Sequence, residues 1–291
     1  MSADRWWEAL ALLALAWAVA VPVSSWFAGA RAVEREPVAA LIAWQAIGLA
    51  GGMAALTAEL TLAAVAVDGP RREAVPHVLR HPFSAGAFGV VGVVLFALSV
   101  LWLLGVLGTS TARVVSARRT HRAVLELLSE RIVTHGTAVD VLTADDPVAY
   151  SVPGRDPRVV MSTATRSRLD GKQLRAVLTH ERTHLRQHHD VLVQPFVAWE
   201  RSLPMLTAAR RARCRVEQLV ELVCDDAAVA GADRLALAAA LEAMNPGGAA
   251  VGERIARLRL PRRRDPVLRI GLMAGAVLLA LGPPALVVLT G

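Results

Sequence analysis

His180-Glu181-Arg182-Thr183-His184 is the stretch that decides how this chain is read. On a helix it places two imidazoles four residues apart on one face, close enough to hold one Zn²⁺, with a glutamate beside them as general base. The flanking residues specify that helix. Asp170, ahead of Gly171, Lys172 and Gln173, fits an N-cap with glutamine at the third helical position, a capping box. Leu174, Val177, Leu178 and Leu185 recur at helical spacing and form the predicted buried stripe. The competing account is two surface histidines that happen to be neighbours on a solvated helix.

A third ligand separates the two accounts. Two histidines leave a tetrahedral zinc short of a protein donor, and a catalytic site takes one more while keeping an open position for water. Downstream, from Val216 to Asp226, the chain reads VEQLVELVCDD. Glu221 and Asp225 are four apart and share a face of a second predicted helix. That spacing suits a ligand and its support: Glu221 binds zinc, while Asp225 accepts the outward N–H of a ligating histidine and fixes its tautomer. Glu217, one turn earlier, competes as ligand; Glu221 is preferred because only it is followed by aspartate at the fourth position. The plain alternative is an acidic solvated stripe, with Arg213 and Arg215 just upstream. Cys224 reads as a small buried helix residue rather than a ligand, and no disulfide with Cys214 is expected in a reducing cytoplasm.

The stretch from Val152 to Asp190 contains VVMST, LRAVLTHERTHLR and HHD, and ELVCDDAAV follows. On these motifs the chain resembles the membrane-embedded gluzincin peptidases of the BlaR/MecR antirepressor family. It is more distantly similar to the HtpX heat-shock proteases and the prenyl-protein (CAAX) endopeptidases. The resemblance covers roughly residues 113–265. It implies a zinc metalloendopeptidase with His180, His184 and Glu221 as ligands, Glu181 as base and Asp225 behind a ligand. It further implies a bacterial plasma membrane location, a protein or peptide substrate, and a cytoplasmic repressor as the partner to expect. Relatives of that family carry an extracellular penicillin-binding sensor after the fourth span. This sequence ends at Gly291 and has no S-x-x-K, because Lys172 is its only lysine and Leu169 stands three before it. Acylation by a β-lactam through that motif is therefore not expected.

Composition points to a membrane. The 291 residues are 54% hydrophobic with mean hydropathy +0.44, too apolar for an ordinary soluble domain. Four uncharged apolar stretches, residues 9–30, 38–58, 83–108 and 270–289, are each long enough to cross a hydrocarbon core of about 30 Å. Trp6, Trp7 and Trp26 lie near the ends of the first, where interfacial aromatics belong. That first stretch exceeds the roughly 7–15 apolar residues of a signal peptide, so it is expected to be retained. Glu59 follows the second span, either inside the membrane or at its interface.

The expected fold is a mainly α membrane protein: four transmembrane helices, with an α+β gluzincin-type zinc peptidase domain between the third and fourth. The expected divisions are residues 1–112 (three spans), 113–266 (peptidase) and 267–291 (fourth span). With pI near 10.9, nucleic acid is a candidate partner, but the placement of charge argues against direct binding. Arg113, Arg118, Arg119 and Arg122 follow the third span, and Arg257, Arg259, Arg262, Arg263, Arg264 and Arg269 precede the fourth. Such clusters match the positive-inside rule and anionic lipid, and they orient the peptidase domain to the cytoplasm. Arg71, Arg72 and Arg80 on the outer side run against it.

Within the soluble region, residues 120–135 are predicted as helix. Residues 149–152 and 159–162 flank Pro153–Pro157 as strand, turn and strand. The second of these strands is the candidate edge for pairing with an extended substrate. Residues 191–207 are apolar but interrupted by Pro195 and Pro204, which suits helices lying against the membrane. No oxyanion donor is assigned, and His188 and His189 read as surface or polar-core residues. Three functions fit: regulatory cleavage of a repressor, quality control of the HtpX kind, or a non-catalytic membrane scaffold.

Overall fold

The computed structural model describes residues 3–231, 233–246, 248–261 and 264–289. Gly247 and, among the arginines before the fourth span, Arg262 and Arg263 lie outside the described residues. Helix α1 (Ala3–Ala18) passes through a π-helical turn (Val19–Val23) into α2 (Ser24–Gly29). The turn holds Pro22, whose missing N–H cannot serve the regular ladder, and Ser24 Oγ donates to the Val19 carbonyl at 2.7 Å. Next come α3 (Pro37–Ala63), α4 (Arg71–Arg80) and α5 (Gly86–Leu128). Four strands follow, β1 (Ser129–Thr134), β2 (Thr137–Leu142), β3 (Ala149–Val152) and β4 (Arg158–Ser162). The chain continues as α6 (Thr163–Arg168), α7 (Gly171–Arg186), α8 (His189–Ser202) and α9 (Thr207–Gly231), then α10 (Arg234–Met244), α11 (Ala249–Arg259) and α12 (Pro266–Leu289). Three stretches, Arg5–Gly29, Pro37–Ala63 and Pro82–Leu128, are long and apolar enough to cross a membrane. The fourth expected span contributes a shorter apolar stretch, Pro266–Gly282.

The chain divides into two compact units. The first comprises the described residues of Met1–Ser110, Pro195–Val216 and Pro266–Gly291. Its centre is α3, which packs against α1 and α12. The contact face of α3 is built from small residues: Ala50, Ala54 and Ala58 recur every fourth position and are buried. Small side chains let helix backbones approach where lipid leaves no hydrophobic drive between helices. Trp44, fully buried, sits edge-on to Phe27 at 5.1 Å and to Phe196 at 6.0 Å. Gly92 of α5 meets the end of α3, where a Cβ would lie 2.5 Å from Ala63. Two arginines finish α3. Arg5 donates to the carbonyls of Ala64, Val67 and Gly69, and Arg71 donates to Thr61 Oγ1. Cations at a helix C-terminus complement its partial negative charge and its unpaired carbonyls, which explains an Arg71 buried to 4% exposure.

The second unit comprises Thr111–Gln194 and the described residues of Glu217–Asp265. The sheet order is β1-β2-β4-β3, with β2 and β4 parallel and the outer pairs antiparallel. Strand alternation divides β4 between two faces. Val159 and Met161 join Val139, Val141, Leu174, Val177, Leu178 and Ala240, whereas Val160 faces Leu125 of α5 with Val152. The sheet is thus clad by α7 and α10 on one side and by α5 on the other. Asp140, 2% exposed on the second face, is held by Arg131 at 3.0 Å and Arg158 at 3.4 Å. Residues 120–135, predicted as one helix, instead end α5 at Leu128 and supply β1. The branched Ile132 and Val133 pair with Val139 and Ala138 of β2, and ladder pairing outweighs a helical pattern that runs only to Leu128.

Candidate metal centre

Helix α7 begins where the sequence places it. Asp170 accepts from the backbone N–H of Lys172 and Gln173, both at 2.8 Å, and Gln173 Oε1 accepts from the Asp170 N–H at 3.0 Å. With its start fixed and Leu174, Val177 and Leu178 buried on the sheet, α7 presents His180 and His184 on one face toward α9.

The donor atoms converge. His180 Nε2 and His184 Nε2 are 3.3 Å apart. Glu221 places Oε2 3.3 Å from the first and Oε1 3.4 Å from the second. Zinc bonded at about 2.0–2.1 Å to nitrogen and oxygen in a tetrahedron has ligand–ligand edges of about 3.3–3.4 Å. These spacings suit a zinc ion between the two imidazoles and a third donor. Cys224 Sγ belongs to the same cluster, within 4.8 Å of donor atoms of both histidines. Burial pushes its thiol well up, so Cys224 would have to lose a proton before binding zinc as thiolate. Glu217 lines the adjoining cavity, while Glu221 is the acid among the donors.

Several groups around these atoms have a shifted charge balance. Burial opposes a proton on His180, but the Asp225 and Glu221 carboxylates outweigh it and lift its pKa to about 9. Burial would raise Glu221, yet His180, His184 and Arg254 hold it far below the usual carboxylate range. Glu181 moves the other way: burial raises it, against the pull of His180 and His184. A carboxylate destabilised by burial is a stronger base than one in water. Burial and the neighbouring His184 push His189 down to about 4, so it is neutral.

Asp225 lies where the i+4 argument puts it, with Oδ1 3.0 Å from His180 Nδ1. Arg254 of α11 escaped the sequence reading. Its Nε and Nη2 donate to Asp225 at 2.9 and 2.6 Å, and its Nη1 is 2.9 Å from Glu221 Oε2. One fork thus fixes both carboxylates. Arg257, one turn later and grouped by sequence with the membrane-flanking charges, clamps Asp226 at 2.8 and 3.0 Å. The signal was an i, i+3 arginine pair following an adjacent Asp225-Asp226 pair.

A cavity of about 580 Å³ adjoins the donors, lined by His184, Glu221, Tyr150, Ser151, Arg118 and His121 among others. In its wall Arg118 pairs with Asp190 at 2.9 Å and His121 with the Tyr150 hydroxyl at 2.9 Å. The free edge facing it is β3, not the strand at 159–162 proposed from sequence. β4 is hydrogen-bonded on both sides, to β2 and to β3, and has no vacant ladder. β3 packs beside α7, and Glu181 accepts from Ser151. His188 adopts φ +48, a left-handed turn that histidine tolerates better than branched residues. It reverses the chain between α7 and α8 and returns His189 to 2% exposure, its Nδ1 3.4 Å from His184 Nδ1.

Neither the curated proteins nor the solved structures include a match to this chain. The model of Peptidase family M48 matches residues 115–239, a segment that contains both histidines, Glu181, Glu221 and Asp225. That match is consistent with membrane zinc metallopeptidases and points to a metallopeptidase acting on a protein or peptide substrate.

Proposed function

We propose that this chain is an integral-membrane zinc metalloendopeptidase that hydrolyses peptide bonds in a cytoplasmic protein, and that its task is regulatory proteolysis of a transcriptional repressor. The observation that carries the peptidase reading is the convergence of His180 Nε2, His184 Nε2 and the Glu221 carboxylate at 3.3–3.4 Å, with the basic Glu181 on the same helix. The regulatory assignment rests on the resemblance to the BlaR/MecR family, through THERTH and ELVCDD.

Zinc held by His180, His184 and Glu221 would supply Lewis acidity, lowering the pKa of water and polarising the scissile carbonyl. The chain's own groups do the rest. The vacant edge of β3 takes the substrate backbone as an added strand and lays it along α7. Glu181 accepts the proton of the attacking water and passes it to the leaving amine nitrogen. Asp225 orients His180, and Arg254 holds Asp225 and Glu221 in place.

Glu181→Gln tests the proposal, because glutamine keeps the shape and cannot take the proton. The variant is expected to hold as much zinc as wild type while cleavage of a co-expressed candidate repressor is lost. Cleavage that persists unchanged would falsify the peptidase role and leave the scaffold reading. Loss of cleavage of misfolded membrane proteins, with the repressor untouched in wild type, would assign quality control instead.

A further inference from the structure

Both proposed histidine ligands turn Nε2 to the common centre, and so each carries its hydrogen on Nδ1 and directs it outward. A metal-bound imidazole almost always donates that N–H to a partner that fixes the ring. For His180 the carboxylate on that side is Asp225, its Oδ1 lying 3.0 Å from Nδ1. Among the described residues, no carboxylate pairs with His184 Nδ1. That nitrogen lies 3.4 Å from Nδ1 of His189, with the two ring planes at 90°.

The tautomer of His189 follows from its other nitrogen. Nε2 lies 2.9 Å from Gln187 Oε1, an oxygen that only accepts, so the hydrogen of His189 sits on Nε2. Nδ1 is then left with its lone pair, in position to accept. The opposite tautomer would set two N–H groups against each other. Cys224 Sγ also lies 3.3 Å from this nitrogen; a thiol is a weaker donor than an imidazole N–H. With His189 only 2% exposed, water does not substitute for it.

From this chain of contacts, we infer that His189 is the positioning residue of the second ligand: a neutral imidazole, locked by Gln187, that accepts from His184 and holds its Nε2 toward the metal. This rests on the zinc-peptidase reading above. It places in the site a residue whose neighbour His188 is exposed and whose own role cannot be read from an HH pair.

The test is zinc affinity of the purified full-length chain in detergent, by competition with a chelator. His189→Leu removes the acceptor and should weaken zinc about 10–100-fold, the usual effect of losing such a partner. His189→Asn puts a carbonyl oxygen close to the Nδ1 position and should restore affinity close to wild type. A role in packing alone predicts the reverse order, since leucine fills the buried volume better than asparagine. Gln187→Ala, at an exposed position, guards against misfolding and should weaken zinc in the same direction by freeing the tautomer. Cobalt-substituted wild type and His189→Leu should differ in their d–d spectra, reporting a reoriented His184. Wild type that binds no zinc overturns the metallopeptidase reading itself. Wild type that binds zinc, with His189→Leu unaltered or His189→Asn equally impaired, overturns only the role of His189.

Discussion

His180 sits between two demands. Its pKa of about 9 lies above the ordinary 6.5, because Asp225 and Glu221 reward a proton more than burial penalises it. The charged form therefore stabilises the fold fully below about pH 6.5, and that stabilisation is lost as pH rises through about 9. Zinc needs the neutral ring and must displace the same proton. Zinc affinity should consequently rise with pH, about tenfold per unit between roughly pH 7 and pH 9, with one proton released per ion. Chelator competition across that range, with proton release by calorimetry in two buffers, measures both. An affinity that is flat over the window would mean that His180 carries no proton to displace.

At the scale of elements, the helices of the site were legible because their evidence is local. A capping box, a 3.6-residue stripe and two i, i+4 pairs all lie within α7 and α9; the structure forms the capping box and brings His180, His184, Glu221 and Asp225 together. What failed was non-local. β3 and β4 are both short and apolar, and nothing within either says which is hydrogen-bonded on two sides; the order β1-β2-β4-β3 is a property of the sheet. Arg254 escaped for the same reason, since its partners lie 29 and 33 positions back in sequence on another helix. Its importance can be weighed. Asp225 is 1% exposed and Arg254 13%, so Arg254→Ala strands a buried carboxylate, a loss of about 3–5 kcal/mol when one partner of a buried pair is removed. Arg254→Lys keeps the charge without the fork and should fall between the two. Thermal unfolding of the purified variants, read beside zinc content, gives the ranking. Equal melting of Arg254→Ala and wild type would mean that α11 does not anchor the centre.

For the whole molecule, the placement of arginines predicts the side of the membrane on which residues 113–266 lie. The arginine bias acts while the chain inserts, before side chains find partners, so pairing in the finished fold does not weaken it. Around the expected outer ends it leaves Arg5, Arg71, Arg72 and Arg80, and the structure supplies a reason for two of them to be there. Arg5 binds the carbonyls just past the end of α3 and Arg71 binds Thr61 in its last turn, a structural need strong enough to override a statistical preference. Arg72 and Arg80 remain exposed, a small outward charge against Arg113, Arg118, Arg119 and Arg122 after the third span. The larger cluster should prevail and set residues 113–266 in the cytoplasm, with the first span and the far end of α12 beginning and finishing outside. Reporter fusions after Arg122 and after Gly291 should then report opposite compartments. Matching compartments would show that α12, whose apolar stretch is the shortest of the four, does not cross, and would leave a peptidase domain tethered by three helices alone.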